Sequence, residues 1–579
     1  MPIPFGNWGP DQFPLNSAVA GEALGVLPKA QSYGPWPGLA ATTGALRTTR
    51  PITGITKANP AVVTYTGTDE FANGEIVTIY NVGGMTEVNG IDFTVANVNT
   101  GANTFELSGI DSSAYTTYTS GGVVADVSSA CRGAIKVRLT GGAYTIFAGS
   151  ATKLYKFAAS AAPTWTDVTR TSGGDYSLAA DDFWSFTIFN NTLIACNGVD
   201  APQSIDVNSG TAFAALAGSP PTAKYCQTVG DVVLLMNLAS AQGSVADSGE
   251  YQAMWCGFRD PTYWTLGKKS CGFATFWSGG GVQGCTPILA GLLFQQRGIQ
   301  RMVQTTSSQL LAFAPIQEGQ GTDSPYSIVT HEQTAFLYST SGFIAVTAGG
   351  IRHIGNEWVD RWFLENSNQG RLGAIRGAVD PLKHRVFWLY PGATNDASTT
   401  LDQIICYDLH LNRWTHAEIN ATEIFSAVSP GQTLTDIAAL YPTLEDIPYP
   451  FGSRVWLGGS PGLGAFDTDN KFALFAGNPV EAIVQTGNGQ VIPGRRGYVS
   501  GWRPLTDAAN ATSRVASSER PQSNVEWKAP GNINAAGRVT RSASGRYFRF
   551  EVQIPEGEDW EHLQGVDFMA DDLTEDGED

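Results

Sequence analysis

The stretch IICYDLHLNRWTHAEI (Ile404–Ile419) holds three side chains that could bind a metal or move protons. Asp408, His410 and His416 lie at i, i+2 and i+8, whereas a helix presents two ligands on one face at i and i+3 or i+4. The first part of the stretch is a run of large residues and the last part alternates in polarity, which predicts two strands joined by a turn. Two histidines without a third ligand at metal spacing are weak evidence for zinc. We therefore expect a β-hairpin in which Asp408 caps the turn.

Other motifs that could carry chemistry lack the context that the chemistry needs. The segment GGGVQG (Gly279–Gly284) matches GxGxxG, but a dinucleotide site needs this motif to open a helix, and CTPILAGLLFQQ with Pro287 follows it. No Ser-His-Asp order, HExxH or P-loop is present. A glycan-cleaving site of the sialidase type would need arginines clustered around a carboxylate within residues 128–477, the region that we predict below to be a β-propeller. We therefore expect no catalytic residues, no cofactor and no metal, and a protein that is not an enzyme.

Composition points to sheets rather than helices. The 579 residues predict two to four domains. Charged residues make up 15% and glycine contributes 66 residues, while Thr, Val and aromatic residues are abundant, which favours strands with tight turns. The sequence contains no run of 18 uncharged apolar residues, so we expect no membrane span. The N-terminal stretch has no signal-peptide pattern. Seven scattered cysteines without a CxxC pair predict buried free thiols.

Charge is unevenly distributed along the chain. The net charge is −18, and residues 551–579 hold twelve acidic and no basic residues. Residues 479–550 hold ten basic and four acidic residues, and we expect this basic stretch to face protein. The acidic end is interpreted in one of two ways. It is either a solvated tail or an acidic surface that repels a polyanion or pairs with a basic neighbour. Six arginines form our candidate protein interface: Arg495, Arg496, Arg538, Arg541, Arg546 and Arg549.

The chain divides into four regions by pattern. Residues 1–50 are rich in Pro and Gly and lack a core of their own, so we expect an arm that packs with the end domain. Residues 51–127 alternate in short strands with Asn-Gly, Gly-Gly and Asp-Ser turns, typical of a small β-barrel. Residues 128–477 repeat hairpins every 40 to 50 residues, which predicts a β-propeller of five or six blades. Residues 478–579 predict a β-sandwich-like platform domain with an acidic tail. The predicted fold class is all-β.

The 51–127 module resembles a β-barrel that recurs in phage structural proteins and is labelled after the first catalytic-cysteine half-domain of ubiquitin-activating enzymes. The stretch contains no Cys, His or Arg, so the label implies no chemistry here. Most of residues 131–568, including WCGFRDPTYWTL (Trp255–Leu266) and GRYFRFEVQIPEGEDWEHLQGVDF, resembles the tail hub or nozzle proteins of short-tailed phages, a family that includes packaged-DNA stabilisation (head-closure) proteins.

The second resemblance implies a structural subunit of the virion tail, assembled in the host cytoplasm. Such a subunit forms a ring, expected to be a hexamer, that continues the DNA channel below the portal and its adaptor and helps to retain and eject DNA. Implied partners are further copies of the chain, portal-adaptor proteins, tail fibre or tailspike proteins and the genomic DNA that passes through. We expect acidic residues on the channel wall. The alternative is a glycan-binding or glycan-cleaving β-propeller of a phage tail.

Overall fold

The computed structural model describes residues 2–12, 19–67, 71–158, 164–179, 181–243, 249–288, 291–305, 310–397, 399–428, 461–521 and 526–572, with isolated residues 443, 447 and 450. Nearly every regular element is a strand, and the predicted all-β fold class, a propeller with an inserted barrel and a sandwich-like end domain, is confirmed. Within these residues, no helix has both the length and the apolar character needed to span a membrane.

Among the described residues the propeller has seven four-stranded blades, rather than the predicted five or six; six blades are separate sheets, and blade 6 is part of a larger sheet. Each blade is an antiparallel meander, and Asn190, Asn412 and Asn470 adopt left-handed conformations at hairpin turns, as short polar side chains permit. The first strand of each blade lies at the centre. Blades 1 to 3 are β13 (Ala134–Arg138), β14 (Tyr144–Gly149), β15 (Leu154–Ala158), β16 (Thr164–Asp167); β17 (Ser185–Phe189), β18 (Thr192–Cys196), β19 (Gln203–Asp206), β20 (Ala214–Ala215); and β21 (Ala223–Val229), β22 (Val232–Leu238), β23 (Gln252–Trp255), β24 (Gly272–Thr275).

The remaining four blades include one, blade 7, that combines strands from two distant parts of the chain. Blades 4 to 7 are β25 (Val282–Cys285), β26 (Leu292–Gln295), β27 (Gly298–Gln304), β28 (Leu311–Glu318); β29 (Val329–His331), β30 (Thr334–Ser339), β31 (Gly342–Thr347), β32 (Gly350–His353); β33 (Arg376–Asp380), β34 (Arg385–Tyr390), β35 (Leu401–Asp408), β36 (Arg413–Ala421); and β37 (Glu423–Val428), β38 (Pro461–Phe466), β39 (Lys471–Pro479) with β6 (Pro37–Ala45). The outer strand of blade 7 thus comes from the region predicted to be an arm, and it closes the ring.

The inserted barrel lies between the last strand of blade 7 and the first strand of blade 1. Its six strands are β7 (Thr49–Ile55), β8 (Val62–Tyr65), β9 (Ile76–Gly83), β10 (Ile91–Asn99), β11 (Thr104–Leu107) and β12 (Ser120–Asp126). They close in the order β10-β11-β8-β7-β12-β9 around a hydrophobic core of their own. The sequence pattern around the Asn89-Gly90 turn predicts strands on both sides of it, MTEV and IDFTV. The second stretch lies in β10, whereas MTEV contains a 3₁₀ turn (Thr86–Val88), and Met85 and Val88 are buried.

The end domain combines residues from both ends of the sequence. One sheet orders β4 (Val26–Lys29), β5 (Ser32–Pro35), β47 (Leu563–Asp572), β41 (Gly497–Thr506) and β45 (Ala543–Gly545), with β1 (Pro2–Pro4) paired to β47. The other orders β3 (Val19–Leu24), β40 (Ala482–Thr486), β46 (Tyr547–Ile554), β42 (Thr512–Ser518) and β43 (Glu526–Trp527), with β2 (Asn7–Trp8) and β44 (Gly531–Asn532) at its sides. The two sheets share one core, in which Trp502 contacts Phe550.

Propeller and end domain are joined by backbone pairing. Strand β3 pairs with β36 of blade 6 at Leu24 and His416, so blade 6 and one end-domain sheet form a single eleven-stranded sheet. Among the described residues, helix α1 (Asp360–Asn366) and 3₁₀ turns at Gly249–Tyr251, Pro325–Ser327 and Gln369–Ala374 lie in the connections. Helix α1 overlaps residues 357–364, where the four-residue spacing of Trp358 and Trp362 predicts a helix. A second helix predicted from the sequence, at 434–440, lies outside the described residues.

Candidate interaction surface

Five of the six candidate arginines are exposed near one edge of the end domain. Strand β45 is the edge strand beside β41, and their register pairs Gly497 with Gly545. This pairing brings Arg496 and Arg546, the residues flanking those glycines, next to each other. Both form ion pairs with the Glu519 carboxylate, Arg496 at 2.9 Å and Arg546 at 3.6 Å. We call the exposed set the arginine edge: Arg495, Arg496, Arg538, Arg541 and Arg546.

Surface ion pairs of this kind hold their partners weakly. Arg496, Arg546 and Glu519 each expose about half of their side chain, so each pair is worth at most about 1 kcal/mol. One carboxylate cannot neutralise two guanidinium groups, and Arg495 adjoins them in sequence. Among the described side chains the arginine edge has more guanidinium groups than paired carboxylates, and strand β47, which ends in acidic residues, lies beside it with Asp572 opposite Gly497.

The sixth candidate, Arg549, is placed differently. It lies within β46, half-buried, and its Nε donates a hydrogen bond to Asn488 Oδ1 at 3.0 Å. Burial lowers the pKa of this guanidinium. Arg549 thus fixes a loop of its own chain and does not join the arginine edge.

The hairpin at Ile404–Ile419 consists of β35 and β36, the two outer strands of blade 6. Asp408 accepts hydrogen bonds from the backbone N–H groups of His410 (3.1 Å) and Leu411 (3.0 Å), and it pairs with Arg385 at 2.9 Å. These contacts make Asp408 a turn cap, as the spacing predicts. His416 lies elsewhere, 2.5 Å from Glu22 of β3.

This hairpin also holds the N-terminal region in place through Arg413, which was not among the residues predicted from the sequence to be functional. Arg413 donates hydrogen bonds from Nη1 to the carbonyl of Lys29 and from Nη2 to that of Gly6, both at 2.8 Å. Trp8 stacks on the His416 ring with a centroid distance of 4.5 Å. A buried arginine that serves backbone carbonyls leaves no periodic signal, because its partners lie hundreds of residues away.

The remaining motif residues lie in turns and strands of the propeller. His410 contacts His384, whose Nδ1 lies 3.1 Å from His331 Nε2. Across the part of the chain that the structure describes, no three His, Cys, Asp or Glu side chains converge to hold a metal ion. The GGGVQG motif runs into strand β25 rather than a helix, as the sequence predicts.

The axis of the propeller contains a buried charged pair that sequence reasoning missed. Inner strands from several blades surround a central cavity of about 290 Å³. Arg376 begins β33 and Glu423 begins β37, and Arg376 Nε lies 3.2 Å from Glu423 Oε2. Both side chains are almost fully buried, and the guanidinium packs on the rings of Phe183 and Tyr326.

Burial dominates the electrostatics of this pair. Desolvation raises the pKa of Glu423 to about 7, although Arg376 opposes the rise. Desolvation also lowers the pKa of Arg376, and Glu423 opposes that change. The pair links the neighbouring blades 6 and 7 at the centre of the ring, where the rings of Phe183 and Tyr326 lie against the Arg376 guanidinium.

Residues 58–128 match the family model described as the ubiquitin-activating enzyme E1 FCCH domain. The match covers strands β8 to β12 of the inserted barrel, without β7, and residues 58–128 contain no cysteine that could form a thioester. The family match therefore describes this module alone.

Comparison with other proteins adds little to the geometry. No curated protein matches the chain. Among solved structures, the computationally designed Ika8 protein is 10% identical (76% of this chain, 99% of that chain, TM-score 0.32). The C-terminal WD40 domain of Sif2 is 9% identical (68% and 93%, TM-score 0.29), and a chain of the Mitotic Checkpoint Complex is 9% identical (57% and 85%, TM-score 0.31). Likenesses this weak support no assignment of function.

Proposed function

We propose that the protein is a structural subunit of a phage tail hub or nozzle ring, expected to be a hexamer, that continues the DNA channel below the portal and its adaptor. In this proposal it has no enzymatic activity and acts in the tail of the virion. The proposal rests first on the resemblance of residues 131–568 to tail hub proteins. The observation that supports it best is the arginine edge, exposed on one sheet of an end domain whose other sheet continues into the propeller.

A rigid frame with exposed arginines at one edge suits docking to an acidic protein. The arginine edge lies on the six-stranded sheet of the end domain, which packs through a shared core on the sheet that continues into blade 6, so no flexible linker separates the edge from the propeller. Exposed arginine charge attracts a partner of opposite sign and orients it during encounter. The portal-side adaptor is the partner we propose for this edge.

The strongly negative chain also fits passage of DNA rather than its retention by contact. Each phosphate neutralised by Lys or Arg adds affinity that increases as salt falls. A ring whose inner wall is acidic would let the duplex slide. In this proposal the arginine edge faces protein, and the wall of the ring channel is acidic.

The test is a double charge reversal, Arg541→Glu with Arg546→Glu. Docking of the purified subunit onto portal–adaptor particles should weaken, most strongly at low salt, while the melting temperature stays unchanged. Arg138→Glu with Arg301→Glu, two exposed propeller arginines, is the matched control and should dock normally.

Two results would contradict the proposal. Unchanged docking together with weaker duplex DNA binding would assign the arginine edge to DNA. Negative-stain images that show neither rings of the purified protein nor its attachment to portal–adaptor particles would refute the tail-hub role itself. Turnover of a capsular or sialylated glycan that one carboxylate substitution abolishes would refute the non-enzymatic part.

A further inference from the structure

One face of blade 4 carries an open cavity of about 590 Å³, which we call the blade-4 groove. Three connections line it: the one that enters β25, the turn between β26 and β27, and the one that leaves β28. Its volume lies within the range of about 300–1,000 Å³ that is typical of small-molecule sites. The groove is separate from the arginine edge, which lies on the end domain, and from the central cavity.

Hydrogen bonds to one buried side chain hold the floor of the groove in place. Gln295 is fully buried, and its Nε2 donates to the carbonyls of Ser278 (2.8 Å) and Gly280 (2.9 Å). Its Oε1 accepts from Gln300 Nε2 at 3.2 Å, and its backbone carbonyl accepts from Thr322 N at 3.0 Å. A buried amide with these bonds fixes the three connections relative to each other, which preorganises the surface above it.

The charged side chains of the groove are free to bind a ligand. Arg297, Glu318 and Asp323 line it and are exposed. Within the described chain, none of the three has an ion-pair partner within 4.0 Å. One donor of five N–H groups and two acceptor carboxylates therefore face the same space, beside the amide of Gln296.

Glycines bring the backbone close to this space. Gly279 and Gly280 adopt φ of 98° and 77°, conformations that strain other residues. A Cβ on Gly280 would lie 2.5 Å from Gln296 Oε1. Trp277 directly precedes Ser278, the first residue that lines the groove. It exposes 64% of its surface, the largest exposure among the large hydrophobic residues that the structure describes. Because Trp277 directly precedes Ser278 in the chain, its exposed indole offers a flat apolar face to a ligand that extends beyond the residues lining the groove.

We propose that the blade-4 groove binds a neutral oligosaccharide. A sugar presents hydroxyl groups that both donate to carboxylates and accept from a guanidinium and amides, and its C–H face can pack on an indole ring. A phosphorylated ligand would meet two carboxylates and one arginine, which disfavours it. An apolar ligand would leave these charged groups desolvated and unpaired.

The experiment uses the full chain and four soluble probes: maltotriose, mannotriose, chitotriose and galactotriose. Saturation-transfer NMR at millimolar concentration should detect binding of at least one probe, and calorimetry should then give its affinity. The double variant Glu318→Gln with Asp323→Asn should weaken that binding about tenfold or more, because charge-assisted hydrogen bonds to the hydroxyl groups are lost. Trp277→Ala should weaken it and remove a ligand-dependent change in tryptophan emission.

Matched controls separate binding from folding. Phe258→Ala removes another exposed aromatic side chain, 42% exposed on a blade 3 connection, and Asp175→Asn removes an exposed carboxylate outside the groove. Both should bind like the unmodified protein, and all variants should melt at the same temperature. The proposal is overturned if no probe gives saturation transfer, or if the Glu318/Asp323 double variant binds its probe with unchanged affinity. Neither result bears on the tail-hub role, since the groove is remote in sequence from the arginine edge.

Discussion

At the scale of single residues, the pair of Arg376 and Glu423 is the most consequential buried contact of the propeller. Removing one member of a buried ion pair leaves an uncompensated group in a low-dielectric interior. The sign of the pH effect follows from Glu423: its pKa in the folded protein is about 7, above its value in the unfolded chain. The contribution of Glu423 to the free energy of unfolding therefore falls as pH rises from about 4.5 towards 7.

We therefore predict that Arg376→Met destabilises the protein, and more at pH 9 than at pH 6. Without the guanidinium, the pKa of Glu423 in the folded protein rises further, so the free energy of unfolding of the variant continues to fall above pH 7. At pH 9 it should lie about 3 kcal/mol or more below that of the unmodified protein. Urea denaturation followed by tryptophan emission measures it. Arg376→Met with Glu423→Gln should recover much of the loss, and an equal loss at both pH values would contradict the assignment.

At the scale of elements, helix α1 is fixed by two carboxylates from different parts of the chain. Asp11 of the arm accepts hydrogen bonds from the backbone N–H groups of Arg361 (2.8 Å) and Trp362 (2.9 Å), which satisfies donors that a short helix leaves free. Asp360 accepts from Phe343 N at 3.0 Å. Burial, with a contribution from Asp11, raises the pKa of Asp360 to about 6.

This raised pKa predicts a measurable pH dependence. The folded protein keeps the Asp360 proton to higher pH than the unfolded chain, so stability falls as pH rises from about 4 to about 6. Asp360→Asn keeps the acceptor and removes the titration, so its melting temperature should fall less over that interval. The exposed Asp175→Asn should follow the unmodified protein, and identical pH curves for all three would show that Asp360 does not titrate in this range.

At the scale of the whole molecule, the barrel is a module inserted at the point where the ring closes. It has its own core, and its ends are adjacent, because the Asp126 N–H donates to the Thr48 carbonyl at 3.1 Å. It is attached to blade 1 through Lys153, which pairs with both Asp126 (3.6 Å) and Asp167 (3.4 Å).

Replacing residues 49–127 with a short Gly-Ser linker should leave the remaining protein folded, since β6 and β13 can still be joined across a small gap. The segment contains no tryptophan, so the tryptophan emission maximum should not change. Cooperative thermal melting followed by circular dichroism is the second readout. A broad, non-cooperative transition would show that the barrel is needed for closure of the ring.

The sequence alone determined the features that arise within a few residues. Period-two alternation and Gly or Asn turns give the hairpins of the propeller and the barrel. The spacing of Asp408, His410 and His416 correctly gives a capped turn between strands, because turn geometry and side-chain alternation are local properties.

Tertiary structure decided what depends on partners far apart in the chain. Strand β6 pairs with β39 more than 400 residues away, which makes the seventh blade, and no local pattern encodes that register. Arg376 meets Glu423, and Arg549 turns inward to Asn488 while the arginine edge stays exposed. These outcomes follow from which surfaces can be buried together with their polar groups satisfied, a condition that only the complete chain can meet.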